Sequence, residues 1–136
     1  MLNNKIITFL KERNCWYEDE SIEYREALSK LNIDMKSDFI QFYLHAEEGP
    51  AFYSSRKEIY QLGWFLVNTD LLKNLYSVNK SLGLTNDYIP LDNFEGENGF
   101  FYNTQTEEVV HLILGKEKEI KKWNSFPKFI EWYFNI

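Results

Sequence analysis

The stretch Gly99-Phe100-Phe101-Tyr102-Asn103-Thr104-Gln105-Thr106-Glu107-Glu108-Val109-Val110-His111-Leu112-Ile113-Leu114 decides the fold. Two runs of aromatic and branched residues, the types that suit a pleated and half-buried surface, flank Thr104-Gln105-Thr106 and predict a β-hairpin. Upstream, Tyr88-Ile89-Pro90-Leu91 predicts a short edge strand, because proline has no N–H to give to a central ladder. Downstream, Ser125 is placed to cap a C-terminal helix with Pro127 in its first turn, where a missing N–H costs little. Phe126, Phe129, Ile130 and Tyr133 then share its inward face.

Moving towards the N-terminus, Leu71, Leu72, Leu75, Val78 and Leu82 form a helical stripe. Asn68 or Thr69 caps that helix and Gly83 follows it as the C′ glycine. The stripe is expected to lie buried against the sheet. Residues Ala51 to Val67, rich in Phe, Tyr, Ile and Trp, read as strands broken by a turn at Ser54-Ser55-Arg56-Lys57. Three helices precede them. The first runs from about Asn3 to Lys11, the second carries Ile22, Ala27, Leu28 and Leu31, and Ser37 caps a third with Phe39, Phe42, Tyr43 and Ala46 inward. The second is expected to start near the acids Glu18, Asp19 and Glu20, which suit a helix N-terminus. Helices, strands, a helix, strands and a helix predict an α+β domain over residues 1–136, with a mainly antiparallel sheet packed by N-terminal, central and C-terminal helices.

A chain of 136 residues with 44% hydrophobic content supports one core without a metal or disulfide staple. The high aromatic content, 18%, reads as an aromatic-rich core. Cys15 is the only cysteine, so no intrachain disulfide exists, which fits a reducing compartment. Lys11, Glu12 and Arg13 interrupt the first apolar run, and no stretch approaches the ~18 apolar residues of a membrane span. A soluble, cytoplasmic protein is the expectation. A net charge of −6 disfavours nucleic acid as a direct partner, since phosphate neutralisation needs a basic face.

No catalytic constellation emerges. His45-Ala46-Glu47-Glu48 offers metal-ligand types, but no HExxH-like pair completes a set of three ligands, and the segment reads as a polar helix end. His111 sits in a strand and is expected to face a hydrogen-bond partner. Cys15, beside Trp16, reads as a small buried hydrophobe. GxSxG, P-loop and GxGxxG patterns are absent, and Gly96-Glu97-Asn98-Gly99 carries an acid where a phosphate loop wants lysine. The expectation is a binding protein, not an enzyme, with no metal and no cofactor.

Charge segregation is the one feature above this background. From Ser81 to Gly115 there is no lysine or arginine, while Asp87, Asp92, Glu95, Glu97, Glu107 and Glu108 all fall there. Lys116, Lys118, Lys121, Lys122 and Lys128 follow. Acids on loops beside aromatic anchors make a candidate partner-binding surface, and Asp92, Phe94, Glu95, Glu97, Glu107 and Glu108 are assigned to it.

Three groups of residues resemble the SUKH superfamily of cell-wall-assembly regulators and bacterial immunity proteins. The first is Leu28-Ser29-Lys30-Leu31 with Ser37-Asp38-Phe39-Ile40-Gln41-Phe42-Tyr43 and Gly49; the second is Trp64 with Asn68-Thr69-Asp70-Leu71-Leu72. The third is Tyr88-Ile89-Pro90-Leu91-Asp92-Asn93, Gly96, Gly99 to Asn103, Val109-Val110 and Ser125-Phe126. The resemblance spans about residues 20 to 136 and rests on fold markers. Met35-Lys36 replaces a frequent apolar-proline pair, and Thr106-Glu107 stands where a turn glycine is more usual. The resemblance implies a sheet packed by helices, no cofactor, and binding of a cognate toxin domain, commonly a nuclease. The alternative is a regulatory or scaffold module of the same fold with no toxin partner.

Overall fold

The computed structural model describes residues 2–93, 98–113 and 118–136, with the side chains of 76, 78 and 118–120 left out. Helices α1 (Asn4–Glu12), α2 (Ile22–Ser29) and α3 (Asp38–His45) come first. Asn3, Ser21 and Ser37 cap them, each side-chain oxygen accepting a backbone N–H of the first turn. Strands β1 (Ala51–Phe52) and β2 (Ile59–Tyr60) form a two-stranded antiparallel ladder. Helices α4 (Leu62–Asn68) and α5 (Leu71–Ser81) follow. Then β3 (Tyr88–Pro90), β4 (Asn98–Asn103), β5 (Val109–Ile113) and β6 (Lys118–Trp123) make a sheet in sequence order, antiparallel throughout, and α6 (Phe126–Phe134) closes the chain. This is an α+β architecture, as the pattern predicts.

The core lies between the four-stranded sheet, α3 and α6, and it is aromatic. The rings of Phe39 on α3 and Tyr102 on β4 stack 3.9 Å apart, 6° from parallel. Phe126, Phe129, Ile130 and Tyr133 are all buried, as the spacing along α6 predicts. The Tyr133 hydroxyl donates to the Phe52 carbonyl at 2.8 Å, so the one polar atom of this large ring is satisfied inside the core. Pro90 sits on β3, the edge strand.

Four elements differ from the sequence reading. Residues after Tyr60 are helical, not extended: α4 begins at Leu62 because Gln61 acts as its N-cap. Gln61 is fully buried, and its amide donates to the carbonyls of Tyr43 at 3.0 Å and Ala46 at 2.7 Å at the end of α3. A short apolar run carries no period that separates strand from helix, and here a tertiary hydrogen-bond network decides. Ile22, expected inward, is 74% exposed, since Tyr24 and Leu28 set the buried face of α2. Glu18, Asp19 and Glu20 lie before the Ser21 cap and outside that helix. Helix α5 keeps Gly83 at φ +73° after its end, but only Leu75 of the stripe is buried. Leu71, Leu72 and Leu82 are half-buried, α5 packs on α4, and the Val78 side chain lies outside the described residues. Strand β6 was unforeseen, because five of the residues 118–123 are charged or aromatic with no clean alternation; it forms by pairing with β5.

Candidate partner-binding surface

The turn between β4 and β5 is held by its own first residue. Asn103 Oδ1 accepts the N–H groups of Gln105 at 2.8 Å and Thr106 at 3.1 Å, an Asx turn. The backbone of Asn103 accepts from Glu107 and donates to Glu108, both at 2.8 Å. This closure drives Glu107 to φ +63°. The other non-glycine residues with positive φ among those described are Asn14, Asn32 and Asn135. Asparagine tolerates the left-handed region; for a glutamate the crowding of Cβ costs roughly 1–2 kcal/mol. Glu107 itself is exposed.

Beside the turn lies a cleft of about 140 Å³, bounded by Asp38, Tyr102, Glu107, Asn124, Ser125 and Pro127. The N-termini of α3 and α6 border it. The Tyr102 phenol is pushed up to about 12, first by burial and then by the carboxylates of Glu107 and Asp38. It therefore remains a protonated, hydrogen-bonding group beside two anions. The hairpin was legible in the sequence. The approach of Asp38 was not, because an acid in the first turn of a helix is ordinary in any sequence.

The six assigned residues separate. Glu107 is exposed at the cleft. Glu108 is half-buried and pairs with Lys122 on β6 at 3.3 Å. Asp92 must be corrected: it is 3% exposed and pairs with Lys57 at 3.0 Å, so it is an interior ion-pair partner and not a surface contact. A carboxylate this deep requires a cation, and Lys57 comes from the β1–β2 connection, far away in sequence. Phe94, Glu95 and Glu97 lie outside the described residues.

The groups considered for chemistry are dispersed. His45 Nδ1 meets the Tyr17 carbonyl at 2.7 Å, and Glu47 accepts from the Tyr24 hydroxyl at 2.5 Å. Arg13 grips Glu48 with a two-pronged contact, Nε to Oε2 at 2.7 Å and Nη2 to Oε1 at 2.8 Å. Cys15 is buried, its thiol pushed up to about 11 by burial and then by Glu48, which opposes a reactive thiolate. His111 Nε2 lies 2.8 Å from Asn98 Oδ1, the polar partner expected for it. Burial and then Lys57 hold the imidazole below its ordinary range. The hollow beside His45 and Glu47 does not include His111. Among the described residues no group of three or more His, Cys, Asp or Glu side chains is placed to hold a metal ion. No helix among them is long and apolar enough to cross a membrane. Comparison of the chain with known protein families finds no match, and comparison with curated proteins finds none similar to it.

Proposed function

We propose that this protein is an immunity protein of the SUKH type, which binds a cognate toxin domain, of the nuclease class, and neutralises it without catalysis in the cytoplasm. The observation that carries the reading is Glu107. A turn that favours glycine holds an exposed glutamate at φ +63° beside a cleft containing Asp38 and Tyr102. Strain held at one exposed residue points to a use for its side chain. A nuclease presents cationic groups to phosphate, and a rigidly held carboxylate is complementary to them. The resemblance in the hairpin, the α3 segment and the C-terminal helix supports the same reading.

Glu107→Gly and Glu107→Gln test it. The glycine variant relieves the left-handed backbone and should gain about 0.5–1 kcal/mol in urea melts, the strain relieved less the entropy glycine loses on folding. Both variants should bind the toxin domain encoded beside this gene more weakly in a calorimetric titration. Wild-type affinity in both would remove the turn from the interface, and no binding by the native chain would sink the reading itself.

A further inference from the structure

A second concave site lies at the opposite end of α3 from the hairpin cleft. The segment around Trp16 runs antiparallel beside the end of α3. Trp16 bridges Ala46, the Tyr17 N–H donates to the His45 carbonyl at 2.8 Å, and the Glu47 N–H donates to the Cys15 carbonyl at 2.9 Å. This pairing opens a notch of about 150 Å³ whose walls include Tyr17, Asp19, Ser21, Tyr24, His45 and Glu47. The rim is unusual for this protein. Tyr17 is 54% exposed and Ile22 74% exposed, two of the few large apolar side chains that face solvent.

The polar groups of the notch are oriented. A backbone carbonyl can only accept, so His45 Nδ1 carries the hydrogen that meets the Tyr17 carbonyl, and the ring stacks on Trp16 at 5.0 Å. Burial and then Glu47 raise the Tyr24 phenol well above its ordinary range, so it donates to Glu47 Oε1. That bond fixes the carboxylate and leaves its second oxygen for another donor. Nearby Glu18 and Glu20 are neutralised by Lys11 at 3.1 Å and Arg25 at 2.7 Å. Asp19, Glu23, Glu26 and Glu47 have no ion pair among the described residues.

Carboxylates at Asp19 and Glu47, tyrosine rings and the negative end of the α3 dipole all favour a cation. The residues supply too few carboxylates for a metal cage, and the aromatic walls suit a flat, weakly hydrated cation over a strongly hydrated ammonium. We infer that the notch receives the guanidinium of an arginine side chain carried by a partner protein. The carboxylates hold its N–H groups and the tyrosines face its plane, while Ile22 meets the surface around the anchor. This inference rests on the protein-binding reading but concerns a different surface from the Glu107 cleft.

The test uses the full chain, isotope-labelled, titrated with the peptide acetyl-Gly-Arg-Gly-amide and followed by amide and indole resonances. Matching peptides carry lysine or citrulline, the neutral isostere of arginine. The arginine peptide should shift Trp16, Tyr17, His45 and Glu47 saturably, the lysine peptide should bind more weakly, and the citrulline peptide should not bind. Asp19→Asn combined with Glu47→Gln should weaken arginine binding about tenfold, the scale expected for two partly exposed charged contacts. Asp19→Asn alone, at an exposed residue, covers the case of a misfolded double variant and should weaken binding by a lesser factor. Equal binding of citrulline, equal or tighter binding of lysine, shifts centred on Glu107, or unchanged affinity in the variants would each overturn the assignment. A toxin domain that binds the double variant as tightly as the native chain overturns the notch and leaves the immunity reading standing. Arginine seated in the notch of a chain that binds no toxin does the reverse.

Discussion

Lys57 joins three parts of the molecule through one nitrogen, which lies 3.0 Å from Asp92 and donates to the Asn98 carbonyl at 2.7 Å. Its partner carboxylate is essentially buried, so removing the lysine leaves an uncompensated charge inside. Lys57→Met should lower stability by about 3 kcal/mol in denaturant melts, the scale for breaking a buried pair from one side. A loss near zero would mean that Asp92 finds another cation. Glu48 gives a second prediction at this scale. Burial raises its carboxyl, but the hydrogen bonds from Arg13 and from the Tyr53 N–H outweigh that and hold it below its ordinary value of 4.5. A depressed folded value means that Glu48 contributes stability above the unfolded value, and that this is lost as pH falls through the folded one. Native protein should therefore weaken progressively below about pH 4.5, and Glu48→Gln should flatten that slope in melts at pH 3 to 5.

At the scale of elements, α2 and α4 approach closely because position 63 has no side chain. A Cβ on Gly63 would lie 2.7 Å from Tyr24 Cγ, and Tyr24 is itself tied to Glu47. The tyrosine cannot swing aside without losing that bond. Gly63→Ala should cost about 1–3 kcal/mol in urea melts, the usual range for overpacking. A neutral or stabilising result would show that the two helices separate freely. Helix α5 is more weakly held. Its firmest tie to the sheet is Asn79, whose amide donates to the carbonyls of Thr85 at 3.1 Å and Tyr88 at 2.7 Å. The leucine stripe was legible from spacing. Its partial burial was not, because periodicity marks which face turns inward and says nothing of how much surface waits there.

Across the whole molecule, the fold rearranges the charge blocks that are separate in sequence. The acid-rich window meets lysines from both sides: Glu108 meets Lys122, and Asp92 meets Lys57. What remains unpaired defines the binding reading, with Glu107 at the hairpin and Asp19, Glu23 and Glu47 around the notch. With a net charge of −6, the native chain should associate with a cationic toxin domain about tenfold or more faster at low salt than at physiological salt. Stopped-flow association across a salt series checks this, and a salt-independent rate would exclude electrostatic steering.

The hairpin at residues 99–114, the edge strand with Pro90, the Ser37 and Ser125 caps and the inward face of α6 were determined by sequence alone. Each depends on local chemistry: turn residues, a missing N–H, a capping hydroxyl, a 3–4 spacing. The tertiary structure decided what depends on distant partners. Gln61 starts a helix because α3 offers it two carbonyls, and residues 118–123 become a strand because β5 has an open edge. Asp92 turns inward because Lys57 is there to meet it. Sequence shows where charges lie along the chain, but pairing across space determines which of them stay free to bind.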